Sequence, residues 1–206
     1  MQCRIFQDPE MNRRVESDPE NIITLGVYYP KYDRPYEDMD EFSSMILDIK
    51  KDERRIDSHS REYSYYKKAI NYFTNRLLSI LSDKEKCVIC VYPTSKEGPA
   101  FTGMRTIAKR LCKRSFQRID GTYILLRAFE IPKKSIGGRR DLQEEIRSLT
   151  VRNENIIKDQ QVLLMDDITT TGTSLKAGKI VLKCAGAKIV ALLAFGKTIT
   201  QTNGDS

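Results

Sequence analysis

The sequence predicts an α/β protein built on a mostly parallel core sheet flanked by helices. Three apolar runs carry that expectation: residues 87–92 (CVICVY), 162–165 (VLLM) and 189–195 (IVALLAF). None alternates with polar residues, which suits strands buried on both faces of a parallel sheet. Between the last two runs, residues 175–182 (LKAGKIVL) carry a helical pattern. Strand, helix and strand in that order form a βαβ unit. Such a unit is right-handed by rule and offers a ligand site at the carboxyl ends of its strands.

The chain has 206 residues, enough for one α/β core with an N-terminal extension. We divide it into an N-terminal arm and hood (1–60) and a core (61–206). It shows no long apolar span and no signal-like apolar segment near Met1. The expectation is a cytoplasmic protein with no membrane partner. Five scattered cysteines fit reduced thiols in that compartment.

Residues 1–20 are polar, with Asp8-Pro9 and Asp18-Pro19 as turn signals, and are expected to form a poorly regular arm or a small appended element. Residues 21–29 (NIITLGVYY) predict a strand. Met39, Phe42, Met45, Ile46 and Ile49 recur at helical spacing over 38–51. A charged connection follows, holding His59, the only histidine, which we expect at the surface. Tyr66, Ile70, Phe73, Leu77, Ile80 and Leu81 line one face of a helix over 62–81.

The run 87–92 contains Cys87 and Cys90. Strand alternation turns them to opposite faces, and no second Cys or His pair accompanies them, so a metal site is rejected. The loop 93–101 (PTSKEGPAF) leads to a helix over about 102–114. Residues 121–128 (GTYILLRA) predict a further strand. Residues 129–150 are polar and basic, ending in a short helical run (DLQEEIRSL).

The net charge is +7. Residues 96–158 hold roughly fifteen basic against seven acidic side chains, which accounts for the excess. Such a stretch favours a polyanion. Pyrophosphate and nucleic acid are not separable on charge alone.

The chemistry is concentrated in residues 162–174, VLLMDDITTTGTS. An apolar strand delivers Asp166 and Asp167 to its end. Thr169, Thr170, Thr171, Gly172, Thr173 and Ser174 then form a hydroxyl-rich turn that opens a helix. Free backbone N–H groups and the positive end of the helix dipole can hold a phosphate there. The carboxylates would repel that phosphate, but can accept hydrogen bonds from sugar hydroxyls or face a hydrated Mg²⁺. Phosphate at one end and diol at the other describe a ribose 5-phosphate. The loop after 87–92 supplies Thr94, Ser95 and Lys96, which with backbone N–H groups can bind a diphosphate.

Asp166 to Ser174 resemble the phosphoribosyl pyrophosphate (PRPP) signature of type I phosphoribosyltransferases: apolar strand, two acids, an apolar residue, then Thr-Thr-Gly-x-Thr/Ser. Val91-Tyr92-Pro93-Thr94-Ser95-Lys96, with Gly98 and Phe101 following, resembles the competence protein F (ComF)-like and amidophosphoribosyltransferase-like branch. The sequence departs from that branch at Tyr92 and Thr94, has one Lys in the loop rather than several Arg, and lacks the zinc ribbon. It also carries Thr170 where hypoxanthine-guanine enzymes place an Asp, which argues against a 6-oxopurine acceptor.

The resemblance implies a type I phosphoribosyltransferase fold with a small N-terminal hood, and PRPP and Mg²⁺ as ligands. It implies transfer of phosphoribosyl to an acceptor with release of pyrophosphate. On it, Asp166 and Asp167 meet the ribose hydroxyls and the metal's water shell, and Thr169 to Ser174 hold the 5-phosphate. Thr94, Ser95 and Lys96 contact pyrophosphate, and Arg139 or Arg140 closes from a mobile basic segment. Asp166, Asp167, Lys96, Arg139 and Arg140 form the catalytic set.

Two functional classes follow. One is an enzyme, a PRPP-dependent transferase, and the balance leans that way. The other is a non-catalytic accessory protein that senses PRPP or a nucleotide in DNA or RNA transactions, using the basic middle. A homodimer or a protein partner is compatible with either.

Overall fold

The computed structural model describes residues 2–30, 39–98, 101–131 and 141–198. The predicted α/β architecture is present. Five parallel strands form the central sheet in the order β1-β7-β6-β2-β3. They are β1 (Ile22–Tyr28), β2 (Cys87–Val91), β3 (Arg118–Asp120), β6 (Gln161–Thr169) and β7 (Ile189–Thr198). Helices cover both faces. The arrangement is consistent with a type I phosphoribosyltransferase fold.

Alternation along the strands assigns the two faces. Cys87, Ile89, Leu163 and Met165 pack in one core with α2 (Glu41–Ile49), α3 (Arg61–Ile80) and α4 (Gly103–Lys113). Val88, Cys90, Val162 and Leu164 pack in the other with α6 (Thr173–Cys184). Cys87 and Cys90 therefore point to opposite faces and both thiols are free. Over α6 lies a smaller layer: α5 (Leu142–Arg147) and the antiparallel ribbon of β4 (Leu125–Arg127) and β5 (Leu149–Val151).

The topology sets the position of the site. From β2 the chain crosses through α4 to β3 at one edge. From β6 it crosses through α6 to β7 on the other side. β2 and β6 are hydrogen-bonded neighbours, with Val91 opposite Met165. The loops leaving their carboxyl ends emerge side by side and depart to opposite faces. That is the switch point at which open parallel sheets bind ligands.

Three sequence expectations are corrected. Of the two readings of residues 1–20, the structure agrees with the small appended element, because α1 (Pro9–Ser17) forms within them. Asp8-Pro9 is a helix start: Asp8 accepts from the Glu10 N–H, and proline takes the first helical position. Ile5, Phe6 and Val15 then pack into the core. The strand expected over 121–128 is shorter, because only β4, Leu125–Arg127, forms within it. Asp120 accepts from both the N–H and the hydroxyl of Thr122, making a turn that separates β3 from β4. β3 itself gave no sequence signal. Lastly, β6 runs past the acids to Thr169, because β7 continues to pair with it beyond Asp166. β1, within the stretch read as arm and hood, is hydrogen-bonded to β7 as an edge of the same sheet.

Candidate active site

A cleft of about 790 Å³ opens at the carboxyl ends of β2 and β6. The structure brings Thr94, Ser95, Lys96, Asp166, Asp167, Thr170 and Ser174 to its walls. Thr169 is buried at the end of β6. Thr171, Gly172 and Thr173 connect Thr170 to Ser174, and the Thr171 and Thr173 hydroxyls lie 2.9 Å apart. Arg139 and Arg140, with Lys133 and Lys134, lie outside the described residues.

Helix capping separates the helices at this cleft from the rest. Asp8, Asp40, Ser60 and Asp141 each accept a backbone N–H at the start of α1, α2, α3 and α5. α4 and α6 have no side-chain cap hydrogen bond, and both begin at the cleft. Their first-turn N–H groups lack the usual side-chain acceptor, and an anion in the cleft could take that place. Gly172 is the N-cap of α6 at φ +80°, a conformation that other residues adopt at a cost of about 1–2 kcal/mol.

The two acids diverge. The Asp167 N–H donates to Asp166 Oδ1 at 2.9 Å, and the Ile168 N–H donates to Asp167 Oδ1 at 2.6 Å. The other oxygen of Asp167, Oδ2, lies 3.3 Å from Lys50 Nζ. Burial alone would lower the Lys50 pKa. The Asp167 carboxylate beside it, with Asp166 behind, instead holds it above the ordinary lysine value.

The described residues contain no group of three or more His, Cys, Asp or Glu placed to hold a metal. Two carboxylates on the wall of one cleft, beside the uncapped starts of α4 and α6, fit Mg²⁺, which keeps water and substrate oxygens as most of its ligands.

Beneath the cleft runs a buried polar network that sequence reasoning missed. Arg127 on β4 pairs with Glu145 on α5, with Nη1 3.0 Å from Oε2. Arg127 also donates to the carbonyls of Thr94, at 3.0 Å, and Pro93, at 3.5 Å. Glu145 accepts from the Tyr92 hydroxyl at 2.6 Å and from the Ser174 hydroxyl at 3.2 Å. One ion pair thus ties the loop after β2 to the first turn of α6. Burial, and the Glu145 carboxylate against it, push the Tyr92 phenol well above its usual pKa, so it stays a donor. Ser174 directs its hydroxyl at Glu145.

Sequence reasoning also missed the share of the wall that comes from the end of α2 and the turn after it. Lys50, Asp52, Arg54 and Arg55 face the loop after β2 across the cleft. Asp52 forms an antiparallel bridge with Thr102. Arg54 donates to both oxygens of Asp52, at 3.0 and 2.7 Å, and stacks on the exposed Phe101 ring at 3.6 Å. A charged connection after a helix gives no local sign of which residue it will meet, so only the fold shows these side chains.

The basic middle stretch is not one surface. Arg105, Arg118 and Arg127 are buried. No helix among the described residues is long and apolar enough to cross a membrane.

No family model matches the chain. Over 61 residues the chain is 34% identical to adenine phosphoribosyltransferase of Treponema denticola. The match covers 30% of this chain and 32% of that protein, so the chain spans about a third of the length of the curated relative it matches. That local similarity supports a relationship to the broad phosphoribosyltransferase family.

Proposed function

We propose that the chain binds PRPP, or a ribose 5-phosphate nucleotide, with Mg²⁺, and transfers phosphoribosyl to an acceptor with release of pyrophosphate. The observation that carries this reading is the cleft between the uncapped starts of α4 and α6, with Asp166 and Asp167 between them. The backbone of 170–174 faces the 5-phosphate, and Thr94, Ser95 and Lys96 face the pyrophosphate. Asp166 and Asp167 accept hydrogen bonds from the ribose hydroxyls and would hold the metal through its water shell. Bound there, the metal supplies positive charge to the phosphate oxygens. As the C1–O bond breaks, its electron pair leaves with pyrophosphate, and the acceptor's lone pair forms the new bond to C1. The protein's part is to fix the sugar and meet the departing charge. The ComF-like branch and the hood over residues 1–60 belong to this proposal.

Isothermal calorimetry with PRPP and Mg²⁺ tests it. Wild type is expected to bind saturably. Asp166→Asn/Asp167→Asn is expected to lose about tenfold or more, the scale of hydrogen bonds to charged groups. Equal binding by the double variant, with unchanged circular dichroism, would overturn the assignment. Pyrophosphate release on adding a base supports the transferase. Binding without release for every acceptor tried favours the PRPP-sensing accessory protein.

A further inference from the structure

We propose that Lys50 is a pyrophosphate ligand that exchanges partners, pairing with Asp167 in the structure described and with the leaving diphosphate in the complex. This rests on the ribosyl diphosphate reading of the cleft.

The loop after β2 is short of positive charge. Between Pro93 and Gly98 it carries only Lys96, and Glu97 follows directly. Among the described residues, the remaining cations on the cleft wall, Lys50, Arg54 and Arg55, all come from the end of α2 and the turn after it. Arg54 is held by two bonds to Asp52 and by the Phe101 ring. Arg55 lies 3.9 Å from Asp52 Oδ2 and its side chain is 82% exposed. Lys50 differs from both. Its ammonium reaches inward to the acid that the ribose requires, and its side chain remains 40% exposed on the cleft.

The backbone beneath it is fixed. The Lys50 N–H donates to the Leu47 carbonyl at 3.3 Å, closing the last turn of α2. Gly103 abuts that turn so closely that a Cβ there would lie 2.8 Å from the Ile49 carbonyl oxygen. The exchange therefore needs only rotation of a flexible four-carbon stem about an anchored Cα. It also keeps the charge balanced. Asp167 trades an ammonium for donors on the sugar side, and the ammonium moves to a group of higher negative charge. The hood thereby supplies the cation that the loop lacks.

Two fragments separate this role from a structural one. Inorganic pyrophosphate and ribose 5-phosphate are titrated separately into wild type, Lys50→Met and Lys50→Arg. Lys50→Met is expected to weaken pyrophosphate by about tenfold. It is expected to hold or improve ribose 5-phosphate affinity, because Asp167 is relieved of its partner. Lys50→Arg is expected to keep most of the pyrophosphate affinity. Unchanged pyrophosphate binding in Lys50→Met overturns the proposal, and so does equal weakening of both fragments. If ribose 5-phosphate fails to bind wild type, or binds Asp166→Asn/Asp167→Asn equally, the underlying reading of the cleft falls and takes this proposal with it.

Discussion

Arg127 and Glu145 form an ion pair at 3.0 Å in which neither side chain has any exposed surface. Taking two charges out of water is costly, and such a pair is tolerated only when its remaining hydrogen-bonding capacity is filled. Here it is filled from segments that bound the cleft: the Pro93 and Thr94 carbonyls, the Tyr92 phenol and the Ser174 hydroxyl.

Removing one charge should therefore be severe. Glu145→Gln or Arg127→Met is expected to destabilise the protein by about 3–5 kcal/mol, because one buried charge loses its counter-charge. For a chain of this size that lowers Tm by on the order of 10 °C. The double variant Arg127→Met/Glu145→Gln should recover a large part of that loss. Differential scanning calorimetry of the three variants reads the difference. A double variant as unstable as the sum of the singles would show that the pair is not the source.

The Lys50–Asp167 contact predicts a pH dependence. The folded-state pKa of Lys50 lies above its unfolded value. The pair's contribution is therefore fully present below the unfolded lysine value of about 10.4, and is lost as pH rises through the folded value. Asp167→Asn removes the carboxylate that contributes most to raising the lysine against its burial. Chemical denaturation between neutral and alkaline pH should show wild type losing more stability than Asp167→Asn at the alkaline end. Parallel curves would exclude the pairing in solution.

Gly103→Ala tests the anchoring of that lysine. A Cβ at this position would meet the Ile49 carbonyl oxygen and Ile70 Cδ1, both at 2.8 Å. The backbone atom cannot yield cheaply, so α2 and α4 must separate. The expected cost is about 1–3 kcal/mol, typical of overpacking. Urea denaturation measures it, and a change under about 0.5 kcal/mol would show that the contact is loose.

The cysteines give a chemical check on burial. Desolvation pushes Cys87 up to about 11 and Cys112 up to about 12, and raises Cys3 and Cys90 as well. Cys184 is exposed. A thiol-specific disulfide reagent should find one fast site in the native protein, abolished by Cys184→Ser, and the other thiols only after unfolding. A second fast thiol would contradict the packing of β2 or α4.

How far the sequence could be read depended on the range of the interaction. The runs 87–92, 162–165 and 189–195 are apolar on both faces, so each announces a central strand without help from its neighbours. The string Asp166 to Ser174 carries its chemistry in consecutive residues and was legible for the same reason. β3 has three residues and was not, since Arg118, Ile119 and Asp120 become a strand only by pairing with β2. Arg127, Glu145 and Lys50 escaped because their meaning lies in residues distant along the chain. A buried arginine and a surface one look alike in a basic stretch until the fold brings a glutamate to one of them. Asp8-Pro9 was misread because the same dipeptide signals a turn or a helix start, and the choice depends on whether Val15 finds a core.

The strand order has a consequence for synthesis. β1 sits at the sheet edge, and its hydrogen-bonded neighbour is β7, with Ile22 opposite Leu192. While the ribosome is still working through the middle of the chain, β1 can pack against α2 but has no strand to pair with. Its backbone hydrogen-bonding groups on that edge must wait for β7. Completion of the sheet therefore waits for the synthesis of β7, and a chain cut short before Ile189 would lose β7 and the strand partner of β1.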